Sequence, residues 1–352
     1  MRFSCFFLLL CTTINLYAQA FPENGKFYSI RSYVRNSYLH QKADGGNYIY
    51  YDGRKCDGPN AVWEFVATTG YWGNRVYNIR NLHSGMFIGN KSAMLTDKEE
   101  NALKFELVYE YAYDDAPYFR LDNASNLLST YENNGIVTIG FEFDGNHGRY
   151  YIDEVSSFGH KLTVGASGWA TLVLGFNSLI PTPDGLKAYV VGSIADDRLE
   201  LEEVSGVLEA NTPVIINAPE GMYEFVYTNE APNVCAESSF LKGTLCDKDV
   251  VPSGNAYVLS LVDGKVGFYR AEKNRLDGYA FMNNSHKAYL DLPEKYQKNS
   301  MRLYFTGAVT SVDNVEVELV ESAVYDMTGR KIERIVVPGM YIINGKKVLV
   351  ND

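Results

Sequence analysis

Five histidines, three cysteines beyond the first twenty residues and many scattered carboxylates are the groups in this chain that could do chemistry. Their spacing assembles none of the familiar catalytic devices. His40, His83, His147, His160 and His286 stand far apart, with no metal-ligand spacing among themselves or toward a cysteine. The chain has no His-Glu-x-x-His, no Gly-x-Ser-x-Gly elbow and no phosphate-cradling glycine loop. Asp153-Glu154 and Glu202-Glu203 read as solvated strand edges. A pair of acids for glycosidic chemistry is defined by separation in space, so the sequence leaves that possibility open. The most concentrated polar group is His40, Gln41, Asp44, Asn47, Tyr50 and Tyr51. It offers an imidazole, two amides, a carboxylate and two phenols in one short stretch, strong acceptors beside aromatic faces.

The elements that must position these residues are strands. Tyr is conspicuous, 27 residues, with 18 Phe, 3 Trp and 30 Gly among 352 residues. Aromatic and β-branched richness broken by glycine turns points to an all-β chain. Most of the tyrosines are expected at half-buried strand positions. The formal charge of −11 makes nucleic acid a poor partner, since binding to phosphate rests on Lys and Arg.

The first third repeats itself. "FYSIRSYVRNSYLHQ" from Phe27, "VYNIRNLHSGMFIGN" from Val76 and "YFRLDNASNLLSTY" from Tyr118 each run from an alternating strand through a polar turn to a short apolar strand. The starts Tyr28, Tyr77 and Tyr118 lie roughly 40 to 50 residues apart, a period of arrays and closed symmetric folds. Each unit has room for about four short strands, and three units are too few to close a propeller. Three four-stranded units around a pseudo-threefold axis make a β-trefoil. Ile30, Ile79, Leu121, Trp63 and Phe105 are expected to fill its barrel and cap, with Tyr150 or Tyr151 in the third unit.

The "Y-x-I-R-N…S-G" opening and the closes "WEF", "FEL" and "YID" resemble the ricin-B-type lectin family over residues 24 to about 157. That resemblance implies a glycan or glycoprotein partner. The family's sugar-holding carboxylate would fall at His40 or Gln41, Gly89 or Asn90, and Ser129 or Thr130, and none of these is acidic. The family's glutamine before the closing aromatic is also missing, with Asn60 and Asn101 nearby. Lobe one, with His40, Gln41, Asp44, Asn47, Tyr50 and Tyr51, is therefore the expected sugar site. Strand alternation lets only one of Tyr50 and Tyr51 face it. The competing expectation is a purely structural or protein-interaction trefoil, such as an inhibitor.

Outside the trefoil, "MRFSCFFLLLCTTINLYAQA" (1–20) carries one early cation, an apolar stretch and a small-x-small close, the pattern of a secretory signal peptide. Residues 160–308 hold many short strands in a meander, expected as a β-sandwich-like domain, and resemble a module of exported Bacteroidetes proteins. Within it Cys235 and Cys246 are candidates for a small disulfide loop, with Cys56 left over. Residues 320–352, with Gly339-x-Tyr341 and Asn344-Gly345-Lys346-Lys347, resemble the sorting domain of the Bacteroidetes type IX secretion route. That resemblance implies the outer-membrane secretion machinery as a partner and the cell surface or medium as destination. No enzyme activity, cofactor or metal is expected.

Overall fold

The computed structural model describes residues 21–305 except 43–45, 57, 70–74, 90–92, 112–116, 124–125, 132–134, 141–145, 183–184, 196–197, 234–239, 252–254, 272–280, 294 and 296–299. Beyond these it describes the strand residues 324–326, 331–332, 339–343 and 346–350. The expected signal peptide lies outside the described residues.

Twelve strands make the first unit, four per lobe. Lobe one holds β1 (Phe27–Ser32), β2 (Tyr38–Gln41), β3 (Ile49–Gly53) and β4 (Val62–Thr69). Lobe two holds β5 (Arg75–Asn81), β6 (Phe87–Ile88), β7 (Leu95–Thr96) and β8 (Lys104–Tyr111). Lobe three holds β9 (Pro117–Asn123), β10 (Asn126–Ser129), β11 (Thr138–Gly140) and β12 (Arg149–Glu154). First and last strands of the lobes pair in a closed antiparallel ring, β1·β4·β5·β8·β9·β12 and back to β1. The inner pairs β2·β3, β6·β7 and β10·β11 form three hairpins. A six-stranded barrel with three hairpins is a β-trefoil.

The side-chain layers explain why the sequence repeats. Where one lobe meets the next, Ile30 faces Ile152, Phe65 faces Ile79 and Leu107 faces Leu121. Ile30, Ile79 and Leu121 are each 0 % exposed. Within each lobe a second layer pairs Tyr28 with Trp63, Tyr77 with Phe105, and Phe119 with Tyr150. The third repeat therefore starts one residue later than its tyrosine suggests. Phe119, not Tyr118, is the partner of Tyr28 and Tyr77, and Tyr150 rather than Tyr151 closes the lobe. Trp63 donates Nε1–H to the Leu39 carbonyl at 3.0 Å, and Tyr150 donates its hydroxyl to the Leu128 carbonyl at 2.9 Å. In both lobes the closing aromatic thus ties barrel to hairpin and satisfies its own polar atom. Phe105 fills the same place in lobe two with no polar atom to satisfy.

The following segment is a β-sandwich-like unit. Its main sheet has nine strands, in the order Trp169–Leu172, Val214–Asn217, Lys187–Ala195, Arg198–Val204, Ser300–Phe305, Lys265–Arg270, Asn255–Val262, Lys287–Leu292 and Leu241–Thr244. Among the described residues of this sheet, only the Arg198–Val204 and Ser300–Phe305 pair is parallel. Successive residues of one strand serve two cores, as a pleated strand requires. Ala188, Val214 and Ile216 pack on one face with Phe158, Leu162 and Phe225, while Tyr189, Val191 and Ile215 pack on the other with Tyr257 and Phe268. The first of these cores also takes in Val62 and Leu82 of the trefoil. Phe27 of β1 lies edge-on to Phe158 and Tyr227, with ring centroids 5.8 and 5.1 Å apart. The two units thus share an apolar core. Cys246 is a free thiol packed against the trefoil core, and Cys235 lies outside the described residues. In the tail, Val324–Asp326 pairs with Lys331–Ile332 and with Gly339–Ile343, which pairs in turn with Lys346–Val350.

Candidate functional site

The lobe-one stretch splits between the core and the surface. His40 on β2 stands opposite Tyr50 on β3, ring centroids 6.1 Å apart. His40 Nε2 lies 3.4 Å from Oδ1 of Asp52, whose side chain is 65 % exposed. The exposed Lys42 places its ammonium 4.1 Å from the Tyr50 ring centroid. Tyr50 and Asp52 share a strand face because they are two residues apart. An imidazole, a phenol and a carboxylate are therefore collected at one surface patch. Gly53 closes this hairpin because a Cβ there would come within 2.8 Å of the Tyr38 carbonyl oxygen and 3.0 Å of His40 Nδ1.

Gln41 and Tyr51 point the other way. Gln41 is 0 % exposed and donates Nε2–H to the Gly46 carbonyl at 2.9 Å. Its backbone carbonyl accepts from Asn60 Nδ2 at 3.1 Å. Tyr51 belongs to the trefoil core, and its hydroxyl accepts from Gly135 N–H at 3.3 Å. Of the two tyrosines Tyr50 is thus the outward one. Asn47 is exposed, and its carbonyl accepts from Leu95 N–H at 2.8 Å, joining lobe one to lobe two. Asp44 lies outside the described residues. Asp52 is the acidic group that sequence reasoning passed over. The signal was there in the alternation of Tyr50 and Asp52.

Of the matching positions in the other lobes, Asn90 lies outside the described residues and the rest are spent on structure. Gly89 is buried, bridged to Ala102, and its absent side chain leaves room for Thr96. Ser129 and Thr130 are buried, and the Thr130 hydroxyl lies 3.1 Å from that of Ser32. Tyr131 is an exposed aromatic of lobe three, 63 % exposed, with His147 edge-on at 5.3 Å.

No protein-family model matches the sequence, and no curated protein sequence matches it. Solved structures similar to part of the chain include three of note. The Rhizoctonia solani agglutinin is 16 % identical, with 39 % of this chain and 98 % of that one covered and a TM-score of 0.31. A ricin B-like lectin of Macrolepiota procera, solved with lactose, is 17 % identical, with 39 % and 100 % covered and a TM-score of 0.30. An endo-β-galactosidase of Clostridium perfringens that releases GlcNAcα1-4Gal is 15 % identical, with 40 % and 35 % covered and a TM-score of 0.30.

A second constellation lies where trefoil and sandwich meet. His83 sits in the turn after β5, where the Asn81 side-chain oxygen accepts from His83 N–H at 3.1 Å and Ser84 N–H at 3.4 Å. His160 lies on the strand Gly159–Val164, and His286 precedes the strand Lys287–Leu292 with φ of 58°. One nitrogen from each ring lies within 4.8 Å of the others. Burial pushes His83 and His160 down from 6.5 to about 3, helped by repulsion from the neighbouring imidazoles. Burial lowers His286 too, against the opposing hydrogen bond to Val173. The sequence showed no such group because its three members come from three distant segments.

Proposed function

We propose that this chain is an exported, non-catalytic carbohydrate-binding protein whose sugar site is the His40–Tyr50–Asp52 patch of lobe one. The observation that carries the reading is the exposed Asp52 carboxylate beside an outward phenol and a ring nitrogen. A sugar needs acceptors for its hydroxyls and an aromatic edge or face for its apolar C–H surface, within one shallow site. A carboxylate makes stronger hydrogen bonds to hydroxyls than a neutral acceptor does. Lys42 lies over the Tyr50 ring, and its flexible, exposed side chain moves aside when a sugar stacks there.

Export through residues 1–20, and delivery to a bacterial surface through residues 320–352 and the outer-membrane secretion machinery, belong to the same proposal. They rest on the leader pattern and the tail resemblance. A glycan array probed with the exported chain and with Asp52→Asn tests the sugar reading. Binding by the wild type that falls at least about tenfold in the variant supports it. Equal binding by both moves the site elsewhere, and no binding by the wild type removes the reading. The second reading is a protein-interaction trefoil, favoured by the burial of Gln41 and Tyr51, which leaves lobe one a small polar patch.

A further inference from the structure

We infer that His83, His160 and His286 form a site for one transition-metal ion of the zinc type, bound through three imidazole nitrogens and pinning the trefoil to the second unit. The geometry assigns the protons. His286 Nδ1 lies 2.9 Å from the Val173 carbonyl oxygen, which can only accept, so Nδ1 carries the hydrogen. His286 Nε2 is then a bare lone pair aimed at His83 Nδ1, 2.9 Å away. A ring nitrogen held by a backbone carbonyl on its far side is how proteins orient a metal-ligating histidine.

Two further observations point the same way. His286 occupies the left-handed region, which a residue with a Cβ adopts reluctantly, and it is locked there by its own backbone. Its N–H donates to Thr244 O at 2.8 Å, and its carbonyl accepts from Val173 N–H at 3.2 Å. Finally, the low proton affinity of the trio keeps the imidazoles neutral at pH 7, the state that binds metal.

The ligand set selects the ion. Neutral imidazoles suit zinc, copper, nickel and iron, whereas calcium and magnesium demand oxygen. Nitrogens about 2.0–2.1 Å from a tetrahedral ion stand about 3.3 Å apart, so His83 and His286 separate by a few tenths of an ångström on loading. In that step His83 moves its proton from Nδ1 to Nε2. The hydrated ion exchanges water ligands for three nitrogens and keeps one water, toward the half-buried His160. Lys287 adjoins His160 and His286, and its charge opposes the ion. Burial lowers the proton affinity of that amine and eases the opposition.

The test uses the full chain without an affinity tag, stripped with a chelator and titrated with Co(II) and then Zn(II). The expected result is one Co(II) per chain with the visible absorption of a four-coordinate ion, displaced by Zn(II), which also raises Tm. His160→Ala and His286→Asn should each weaken binding at least about tenfold, the scale seen even for outer-shell partners. Asn tolerates the left-handed backbone, and His160 is half-buried, so one variant remains readable if the other misfolds. Cys246→Ser should leave binding unchanged. A folded wild type that takes up neither ion at micromolar concentration overturns the proposal. So does stoichiometric binding that survives both histidine substitutions.

Discussion

His83 Nδ1 and His286 Nε2 lie 2.9 Å apart although 203 residues separate them in the chain. One belongs to the trefoil and the other to the second unit, so this contact reports on how the two are joined. In the metal-free chain it also sets an acid limit. Unfolded histidines take up protons near 6.5, whereas folded His83 and His160 resist until about 3. Between those values the unfolded state binds more protons, so stability is complete above about pH 6.5 and falls as pH drops toward 3. Lys287, facing His160 and His286, adds to the repulsion once they charge. Denaturant midpoints measured with chelator at pH 7.5, 5.5 and 4.5 should decline, by an energy on the order of a few kcal/mol. His160→Gln should flatten the decline. An equally steep wild-type and variant profile would place the acid sensitivity elsewhere.

Ile79→Ala should destabilise the chain by about 2–5 kcal/mol, the range for emptying a fully buried aliphatic position. Ile79 faces Phe65 across the junction of lobes one and two, and neither is exposed. The equivalent Leu121→Ala should cost a similar amount, because its partner Leu107 occupies the same layer at the next junction. Chemical denaturation with an unchanged m-value checks both. A loss below about 1 kcal/mol at either site would contradict the shared layer.

The trefoil was legible in the sequence because three lobes fill one barrel with the same layers, so the pattern had to recur. Ile30, Ile79, Leu121, Trp63 and Phe105 all lie where that recurrence placed them. The slip at Tyr118 shows the limit of reading side chains alone. Tyr118 and Phe119 are adjacent aromatics, both buried, and only the pairing of Phe119 with Tyr150 fixes the register. The lobe-one patch was half legible, since strand alternation separates Tyr50 from Tyr51 and also puts Asp52 beside Tyr50. The burial of Gln41 was hidden, because it depends on the carbonyl of Gly46 and the side chain of Asn60. The histidine cluster was not legible at all, since tertiary contacts alone bring its members together.

A chain ending at Ala308 should keep the Tm of the full-length protein. Among the described residues, the strands of the tail pair only with one another, and none joins the nine-stranded sheet. Thermal unfolding followed by circular dichroism checks the folding half of this expectation. In the native cell the same truncation should abolish surface display, measured by protease accessibility on intact cells. Undiminished display of the truncated chain would remove the proposed delivery role of the tail.

Three substitutions in lobe one should separate binding from folding. Asp52 is solvated, so Asp52→Asn removes a charged acceptor without leaving a buried vacancy, and Tm should hold while glycan affinity falls about tenfold or more. Gln41→Ala should do the reverse. Its amide is buried and bonded to Gly46, so the loss leaves an unsatisfied carbonyl and a gap, worth about 1–3 kcal/mol of stability. Lys42→Ala is the most discriminating. The ammonium lies 4.1 Å from the centroid of the Tyr50 ring, in the space that a stacking sugar would take. An exposed cation–π contact is worth about 0.5–1 kcal/mol, so removing the lysine spares the ligand that cost of displacement. Affinity should then rise about two- to fivefold, read by calorimetric titration against the best glycan of the array. A loss of affinity in Lys42→Ala would mean that the lysine contacts the sugar itself and that the Tyr50 face stays covered.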